Sequence, residues 1–290
     1  MKPAQFAYVA VDSVEEAVGA LREHGDEAKV LAGGQSLVPL MNMRLAQPTA
    51  LVDINSIREL DGIRANGSLE IGAVTRQLSV QRSAEVASAA PLVVEALRHV
   101  SHSGVRSRGT LGGTIAHADP AAEIPAVLLA LGGEVVARGP GGERTIAADD
   151  LFQGYFTTGL RPDELLTAVR FAGRTDGMRF GFEEVARKAG DFALVGAAVA
   201  ISVEAEGICT QARIALFGVA DRPVRATGAE QALAGRRLDD EAIQREAANA
   251  AATAVEAKSD GHASADYRRE VTAVVVRRAL AQAAKGGLDR

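Results

Sequence analysis

The chain has 290 residues, of which 47% are hydrophobic and 24% are charged. This composition is that of a globular protein long enough for two domains, and it excludes an intrinsically disordered chain. The formal net charge of −5 disfavours a nucleic-acid partner, because that affinity comes mainly from cations that neutralise phosphates.

Cysteine content and apolar runs bear on the compartment. The single cysteine, Cys209, can neither close an internal disulfide nor hold an iron–sulfur cluster, which takes about four cysteine ligands. Segment 1–16 lacks the apolar stretch of a signal peptide, and the longest apolar run, 193–203, is well short of the roughly 20 residues that span a bilayer. We therefore expect a cytoplasmic protein without a transmembrane segment, which at most touches the inner face of the membrane through a larger complex.

The first 57 residues predict a small α/β unit. Ser13 and Glu16 have the spacing of a helix-capping box, and Gly25 stands where that helix would end. Further elements are predicted in chain order: a strand over 29–32, a double-glycine turn, a helical turn over 36–38 and a strand over 50–54.

Residues 58–175 predict a second α+β unit that completes an N-terminal domain over 1–175. Pro91 is placed to open the longest helix of this part. The predicted elements are strands over 69–73, 134–138 and 165–171 and helices over 91–100 and 125–131. The polar, glycine-flanked stretch 173–177 is the expected domain boundary.

The C-terminal domain, 176–290, shows a different order of elements. Strands are predicted over 180–187, 193–204 and 212–219, and helices over 227–234, 240–257 and 265–284. Strands followed by helices indicate an α+β domain, here a three-stranded antiparallel sheet with a three-helix bundle.

Two double-glycine motifs, 32–36 (AGGQS) and 110–114 (TLGGT), are candidate ligand loops. Glycines let backbone N–H groups approach a ligand closely, and successive N–H groups form an anion-binding concavity. Ser36, Thr110 and Thr114 would add hydroxyl donors, so that the two loops would clamp a diphosphate. The alternative is that each motif is an ordinary tight turn.

The familiar nucleotide signatures are missing. No G-x-G-x-x-G follows the first strand and no P-loop is present, so a bound dinucleotide would need another fold. After the second glycine motif, Asp119 and Pro120 have the pattern of a helix N-cap and first residue. Glu123 is then either a solvated helix residue or an acceptor for ligand hydroxyls.

Other residue patterns give weaker evidence of a functional site. His99 and His102 have metal-ligand spacing, but no third histidine or cysteine accompanies them, which disfavours zinc. No G-x-S-x-G supports a hydrolase. The arginine pairs 236–237, 268–269 and 277–278 are most simply helix-surface charges. We expect neither a metal site nor a catalytic acid or base in this chain.

The two glycine motifs, the run 109–123, segment 182–195 and the C-terminal arginine pairs resemble one family across nearly the whole chain. This is the FAD-binding medium subunit of the molybdenum hydroxylase (xanthine dehydrogenase) family, closest to aerobic carbon monoxide dehydrogenase. The resemblance implies the two-subdomain FAD-binding fold of vanillyl-alcohol oxidase and para-cresol methylhydroxylase, with subdomains of about 1–57 and 58–175, followed by the C-terminal domain.

The resemblance also implies a set of cofactor-binding residues. Both glycine loops match segments that contact the FAD diphosphate and ribityl chain, Glu123 matches the acidic position that binds cofactor hydroxyls, and Leu166 and Lys188 match positions near the flavin. The full expected set is Ala32, Gly33, Gly34, Gln35, Ser36, Leu37, Thr110, Leu111, Gly112, Gly113, Thr114, His117, Asp119, Glu123, Leu166 and Lys188.

The implied function is electron transfer within a heterotrimer. FAD would take electrons from the [2Fe–2S] clusters of a small subunit, after a molybdopterin-containing large subunit oxidises the substrate, and pass them to a quinone or other external acceptor. A dimer of heterotrimers is expected. Thr114 stands where the family usually has Asn or Ser, and N-heterocycles or aldehydes are alternatives to carbon monoxide as substrate. Two further alternatives are a free-standing FAD-dependent oxidase or reductase and a scaffold whose glycine loops are merely turns.

Overall fold

A computed structural model describes residues 2–65 and 68–288. The first unit is a parallel sheet in the order β1-β3-β2 with two helices. Its elements are β1 (Ala7–Ala10), α1 (Val14–His24), β2 (Ala28–Leu31), α2 (Leu37–Asn42) and β3 (Ala50–Asp53). Because the strands are parallel, the loops after β2 and β3 leave the sheet at the same edge.

The capping box predicted for the first helix is present in part. The Ser13 hydroxyl accepts a hydrogen bond from the backbone N–H of Glu16 at 3.2 Å. The Glu16 carboxylate accepts from the backbone N–H of Asp12 at 2.9 Å, one residue before the N-cap. Gly25 follows the helix with φ +60°, as its position after the last turn predicts.

The second unit is an antiparallel sheet in the order β4-β5-β10-β6-β7, covered by helices. Its strands are β4 (Ile63–Ala65), β5 (Ser68–Gly72), β6 (Glu134–Gly139), β7 (Gly142–Ala147) and β10 (Leu165–Ala172), with a separate hairpin of β8 (Phe152–Gly154) and β9 (Thr157–Thr158). Its helices are α3 (Gln77–Arg82), α4 (Ala84–Ala89), α5 (Pro91–His99), α6 (Ser103–Arg106), α7 (Leu111–His117), α8 (Glu123–Ala130) and α9 (Ala148–Leu151).

The C-terminal unit has one more strand than the sequence predicts. Its antiparallel sheet has four strands, because a two-residue strand too short to show a pattern pairs with Ala215 and Leu216. The strands are β11 (Met178–Ala186), β12 (Ala193–Val203), β13 (Cys209–Phe217) and β14 (Val224–Arg225). The three predicted helices are confirmed as α10 (Thr227–Leu233), α11 (Glu241–Ala254) and α12 (Ala265–Ala284).

Strand β12 is buried on both faces, which explains its continuous apolar sequence. Ala198 and Ala200 pack into the same core as helix α8 and the second sheet, whereas Val199 and Ile201 pack against the C-terminal helices. The core of the second unit therefore extends into the C-terminal sheet without a break.

The arginine pairs do not all lie on the surface. Arg268, expected to be a surface charge of its helix, is only 6% exposed. It donates to the backbone oxygens of Leu194 and Gly218, the latter at 2.7 Å, and to the Asp260 carboxylate at 2.5 Å. A buried arginine is tolerated here because its donors are satisfied.

The longest helix, α12, has 20 residues but is too rich in charged side chains to span a bilayer, and none of the other helices in the described part of the chain qualifies.

Candidate functional site: two glycine loops and an adjoining cavity

The first glycine loop leaves its backbone donors unused. It follows β2, and Gly34 has φ +70°, a conformation that favours glycine. Within residues 2–65 and 68–288, no acceptor takes a hydrogen bond from the backbone N–H groups of Gly33 through Leu37. Consecutive unpaired N–H groups around a left-handed residue make an anion-binding concavity.

The second glycine loop is built differently. Thr110 is the N-cap of α7, and its hydroxyl accepts from the backbone N–H of Gly113 at 3.1 Å. The N–H groups of Leu111 and Gly112 donate to the backbone oxygens of Thr75 and Ala73, both at 3.0 Å. The backbone donors at the start of α7 are thus already paired, so this loop offers close approach and the hydroxyls of Thr110 and Thr114.

The two loops meet. A Cβ atom on Gly33 would lie 2.8 Å from the Cα of Gly109, and one on Gly113 would lie 3.7 Å from the Cβ of Ala32. The backbone atoms of Arg108 and Gly109 leave no room for a larger residue at Gly33. The glycines of the two motifs therefore lie side by side, and the surface that the two loops share is here named the glycine cleft.

Beyond α7 the structure corrects one prediction. Helix α8 begins at Glu123 with Ala122 as its N-cap, so Asp119 does not cap a helix that starts at Pro120. Instead the Asp119 carboxylate accepts from the backbone N–H of Ala121 at 2.9 Å. The cause is the left-handed Ala118, with φ +52°, which ends α7 and turns the chain before the next helix.

His117, at the end of α7, is half-buried, and its ring centroid lies 5.0 Å from that of Phe156. Burial lowers the pKa of the imidazole, although the nearby Asp119 carboxylate opposes the shift. The ring is therefore neutral at physiological pH.

Glu123 is buried, with 7% exposure, and not solvated. Burial raises the pKa of its carboxyl to about 8, and the nearby carboxylates of Glu184 and Asp119 add to the shift. Two further charges define this buried cluster. His99 Nδ1 lies 3.2 Å from Glu184 Oε1, and this contact, aided by Glu95, raises the pKa of His99 to about 10.

Leu166 and Lys188 are not part of either glycine loop. Leu166 is 4% exposed on β10, opposite Ala137, and its side chain packs in the core. Lys188 is exposed in the turn between β11 and β12. That turn packs closely on the second unit, because a Cβ on Gly190 would lie 2.8 Å from the backbone oxygen of Ser101.

A cavity of about 360 Å³ opens beyond α7, between the second unit and the C-terminal unit. Its lining is aromatic and charged: Tyr155 and Phe192 are joined by the cations Arg187 and Lys258 and by the carboxylates of Asp119, Asp191 and Asp260. Sequence reasoning missed this cavity, because six separate segments of the chain form it. Two aromatic residues of the lining, Tyr155 and Phe192, are exposed and each stands next to a strand.

Comparison with known proteins gives two domain matches. Residues 4–171 match the FAD binding domain in molybdopterin dehydrogenase, and residues 180–283 match the CO dehydrogenase flavoprotein C-terminal domain.

Full-length relatives agree with the domain matches. The chain is 40% identical to the 6-hydroxypseudooxynicotine dehydrogenase complex subunit alpha of Paenarthrobacter nicotinovorans, covering 98% of this chain and 96% of that protein. It is 40% identical to the carbon monoxide dehydrogenase medium chain of Hydrogenophaga pseudoflava, covering 97% of each.

Solved structures show the same fold. A carbon monoxide dehydrogenase from Hydrogenophaga pseudoflava superposes with a TM-score of 0.95 at 40% identity, covering 98% of this chain and 99% of that one. Quinoline 2-oxidoreductase from Pseudomonas putida 86 superposes with a TM-score of 0.93 at 36% identity, covering 99% and 100%. The domain matches, the full-length relatives and the solved structures agree, and the chain belongs to the family of FAD-binding flavoprotein medium subunits of molybdenum hydroxylases, oxidoreductase components whose cofactor is FAD.

Proposed function

We propose that this chain relays electrons within a heterotrimer, from the [2Fe–2S] clusters of a small subunit to an external acceptor such as a quinone. A molybdopterin-containing large subunit would oxidise the substrate, and two heterotrimers would associate. The names of the relatives, a medium chain and a dehydrogenase complex subunit, support this division of labour. The chain's own cysteine also supports it, because Cys209 is alone and buried and cannot ligate a cluster.

The observation that carries the proposed cofactor site is the run of unpaired N–H groups from Gly33 to Leu37. A diphosphate placed against them would receive several hydrogen bonds at once, and the glycine contact allows that close approach. The hydroxyls of Thr110 and Thr114 would hydrogen-bond to the diphosphate from the second loop. The two loops would thus bind in different ways, one by backbone donors and one by hydroxyls.

The rest of the dinucleotide would run along α7. Seven helical residues span about 10 Å, which connects the glycine cleft at the start of α7 to the cavity past its end. We assign the flavin ring to that cavity, where Tyr155 and Phe192 offer flat apolar surface. Lys258 would favour negative charge on the ring, whereas Arg187 already pairs with Asp191 at 3.1 Å.

Glu123 and His117 suit hydrogen bonding to the cofactor's hydroxyl groups. A carboxyl whose pKa is about 8 is mostly protonated at neutral pH, so Glu123 can donate as well as accept. Neutral His117 has the same double capacity. Bound FAD supplies the electron-transfer chemistry, and these residues hold and orient it. Leu166 and Lys188 would act from the edge of the site, outside the glycine cleft.

The experiment is co-expression with candidate large and small subunits. We expect a complex with flavin absorption bands, whose flavin is reduced by the substrate of the large subunit. The isolated chain should oxidise no substrate. Substrate oxidation by the isolated, FAD-loaded chain would instead support a free-standing oxidase, and the absence of flavin from every preparation, even after addition of FAD, would support a scaffold. We place the complex in the cytoplasm, in keeping with one buried thiol, with any membrane contact made through the assembly.

A further inference from the structure

Two polar side chains join the glycine loops, and neither belongs to the set expected from the sequence. Asn55 follows β3, and its amide nitrogen donates to the backbone oxygens of Ala32 at 2.8 Å and Leu31 at 3.4 Å. Arg76 precedes α3, and its guanidinium donates to Asn55 Oδ1 at 2.8 Å and to the backbone oxygen of Arg108 at 2.6 Å. The Asn55–Arg76 pair therefore bridges the start of the first loop and the residue that leads into the second.

The groups that this pair binds matter electrostatically. Each is a carbonyl oxygen, which carries partial negative charge and would repel a diphosphate. The Arg108 carbonyl is also the group against which Gly33 packs. Hydrogen bonds from Asn55 and Arg76 satisfy these oxygens, whereas the N–H groups of Gly33 to Leu37 have no partner within residues 2–65 and 68–288.

Asp53 and Tyr8 fix the orientation of the Asn55 side chain. Its side-chain and backbone N–H groups donate to Asp53 Oδ1 at 2.7 and 2.9 Å, and the Tyr8 hydroxyl donates to Asp53 Oδ2 at 2.5 Å. Partial burial acts to raise the pKa of Asp53, but these hydrogen bonds and the charge of Arg76 outweigh it and lower that pKa. An ionised Asp53 can only accept, so the Asn55 amide points its nitrogen to Asp53 and its oxygen to Arg76.

Arg76 also holds the second loop through its backbone. It forms a β-bridge with Thr110, and the next residue, Gln77, donates from its N–H to the backbone oxygen of Gly109 at 2.9 Å. Within residues 2–65 and 68–288, no carboxylate forms a direct ion pair with the Arg76 guanidinium, whose acceptors are the neutral oxygens of Asn55 and Arg108. Its positive charge is thus not cancelled by a direct partner.

We propose that Arg76, oriented by Asn55, is a positioning residue for the cofactor diphosphate: it fixes the spacing of the two loops and supplies positive charge to the cleft between them. This inference rests on the FAD site proposed above. Arginine suits the role because its planar fork can bond two acceptors at once, which a lysine ammonium on a single stem does less well.

The test measures FAD affinity in the full chain assembled with its co-expressed partners, after removal of bound flavin, at several salt concentrations. The variants are Arg76→Met, Arg76→Lys and Asn55→Ala, and the control is Arg64→Met. Arg64 is an exposed arginine of the same unit whose ion-pair partner is Glu70, so the control makes the same charge change away from the cleft. The melting temperature of each flavin-free protein is recorded alongside.

We expect Arg76→Met to weaken FAD binding at least about tenfold and to reduce the salt dependence of the affinity, because a screened attraction has been removed. Arg76→Lys should bind with intermediate affinity and the wild-type salt dependence. Asn55→Ala should weaken binding with no change of charge. Arg64→Met should bind as the wild type does.

The outcomes separate this inference from the proposed function. A wild-type assembly that binds no FAD would contradict the proposed function itself. Wild-type binding with unchanged affinity in Arg76→Met would overturn the positioning role alone. Weaker binding in Arg76→Met with an unchanged salt dependence, or only in step with a lower melting temperature, would also overturn it, since a merely structural arginine would give that result.

Discussion

Gly33 and Arg108 are in backbone contact, and that contact joins the two glycine loops. A Cβ on Gly33 would collide with the Arg108 carbonyl oxygen and would lie 2.8 Å from the Cα of the next residue, Gly109. The obstacle is main chain, which cannot rotate aside as a side chain can. The Arg108 carbonyl in turn accepts from Arg76, so the position of Gly33 is linked to the charge in the cleft.

Gly33→Ala should separate the loops. We expect at least about a tenfold loss of FAD affinity and a destabilisation of about 1–3 kcal/mol, the usual cost of overpacking. FAD content from visible absorption and urea unfolding measure the two effects. Gly141→Ala is the matched control, because a Cβ there meets only open space. Full flavin content in Gly33→Ala would contradict the proposed cleft.

Thr110→Val should remove a helix cap while keeping the side chain's shape. The hydroxyl of Thr110 accepts from Gly113 N–H, and loss of such a cap costs about 1 kcal/mol of unfolding free energy. We expect weaker FAD binding as well, since this loop has hydroxyls to offer but no spare backbone donors. Thr110→Ser keeps the hydroxyl and should behave like the wild type. Urea unfolding and FAD titration test both parts, and equal FAD affinity in the valine and serine variants would argue against a hydroxyl contact.

Glu123 predicts a particular pH dependence of the flavin-free chain. Its pKa is about 8 in the fold against 4.5 for an ordinary glutamate, so the folded state binds the proton more tightly between these values. The free energy of unfolding therefore falls as pH rises from about 4.5 to about 8. Glu123→Gln should remove a fall of a few kcal/mol, since one pKa unit is worth about 1.4 kcal/mol. Urea unfolding at pH 5 and pH 8.5 checks this, and parallel pH curves for both proteins would refute it.

The His99–Glu184 contact should behave as a coupled pair across the interface between the second unit and the C-terminal sheet. The pKa of His99, about 10, keeps the imidazole charged at neutral pH. The stabilisation of the fold by this charged pair is complete below pH 6.5 and is lost as pH rises through about 10. His99→Gln should cost about 3–5 kcal/mol at pH 7, because it leaves the Glu184 carboxylate buried without its cation.

The double variant His99→Gln with Glu184→Gln completes that test. Removing both charges should recover much of the stability lost in His99→Gln, since Glu184 Oε2 already lacks a hydrogen-bond partner among the described residues. Thermal unfolding of the wild type, His99→Gln, Glu184→Gln and the double variant gives the coupling energy. Additive losses would show that the two charges do not interact.

Local signals predicted much of the fold. The Ser13 cap, Pro91 as the first residue of α5 and the three strands β11 to β13 depend on neighbours in sequence, and they are present. Asp119 has an equally good local signal for a cap, yet the left-handed Ala118 before it redirects the chain. A residue pattern does not encode such a turn.

Only part of the candidate site could be predicted from the sequence. Its glycines stand out, because each motif sets two consecutive glycines close to a serine or threonine. The residues that join the loops do not stand out. Asn55 and Arg76 are 21 positions apart, and Arg76 and Arg108 are 32 apart, so no window along the chain contains the contact. The burial of Arg268 does not show in the sequence for a similar reason, since its backbone acceptors lie 50 and 74 positions away.

Strand β12 has a consequence for how this protein can be divided. Its alternate side chains complete two different interiors, one shared with helix α8 and one with α11 and α12. A chimera that joins the first 175 residues of one relative to the remaining residues of another would pack α8 of one parent against β12 of the other. The side chains in that shared core would then not be matched in size. Chimeras of these subunits should therefore tolerate a crossover in the sheet only where the alanines of β12 and the aliphatic face of α8 are taken from the same parent.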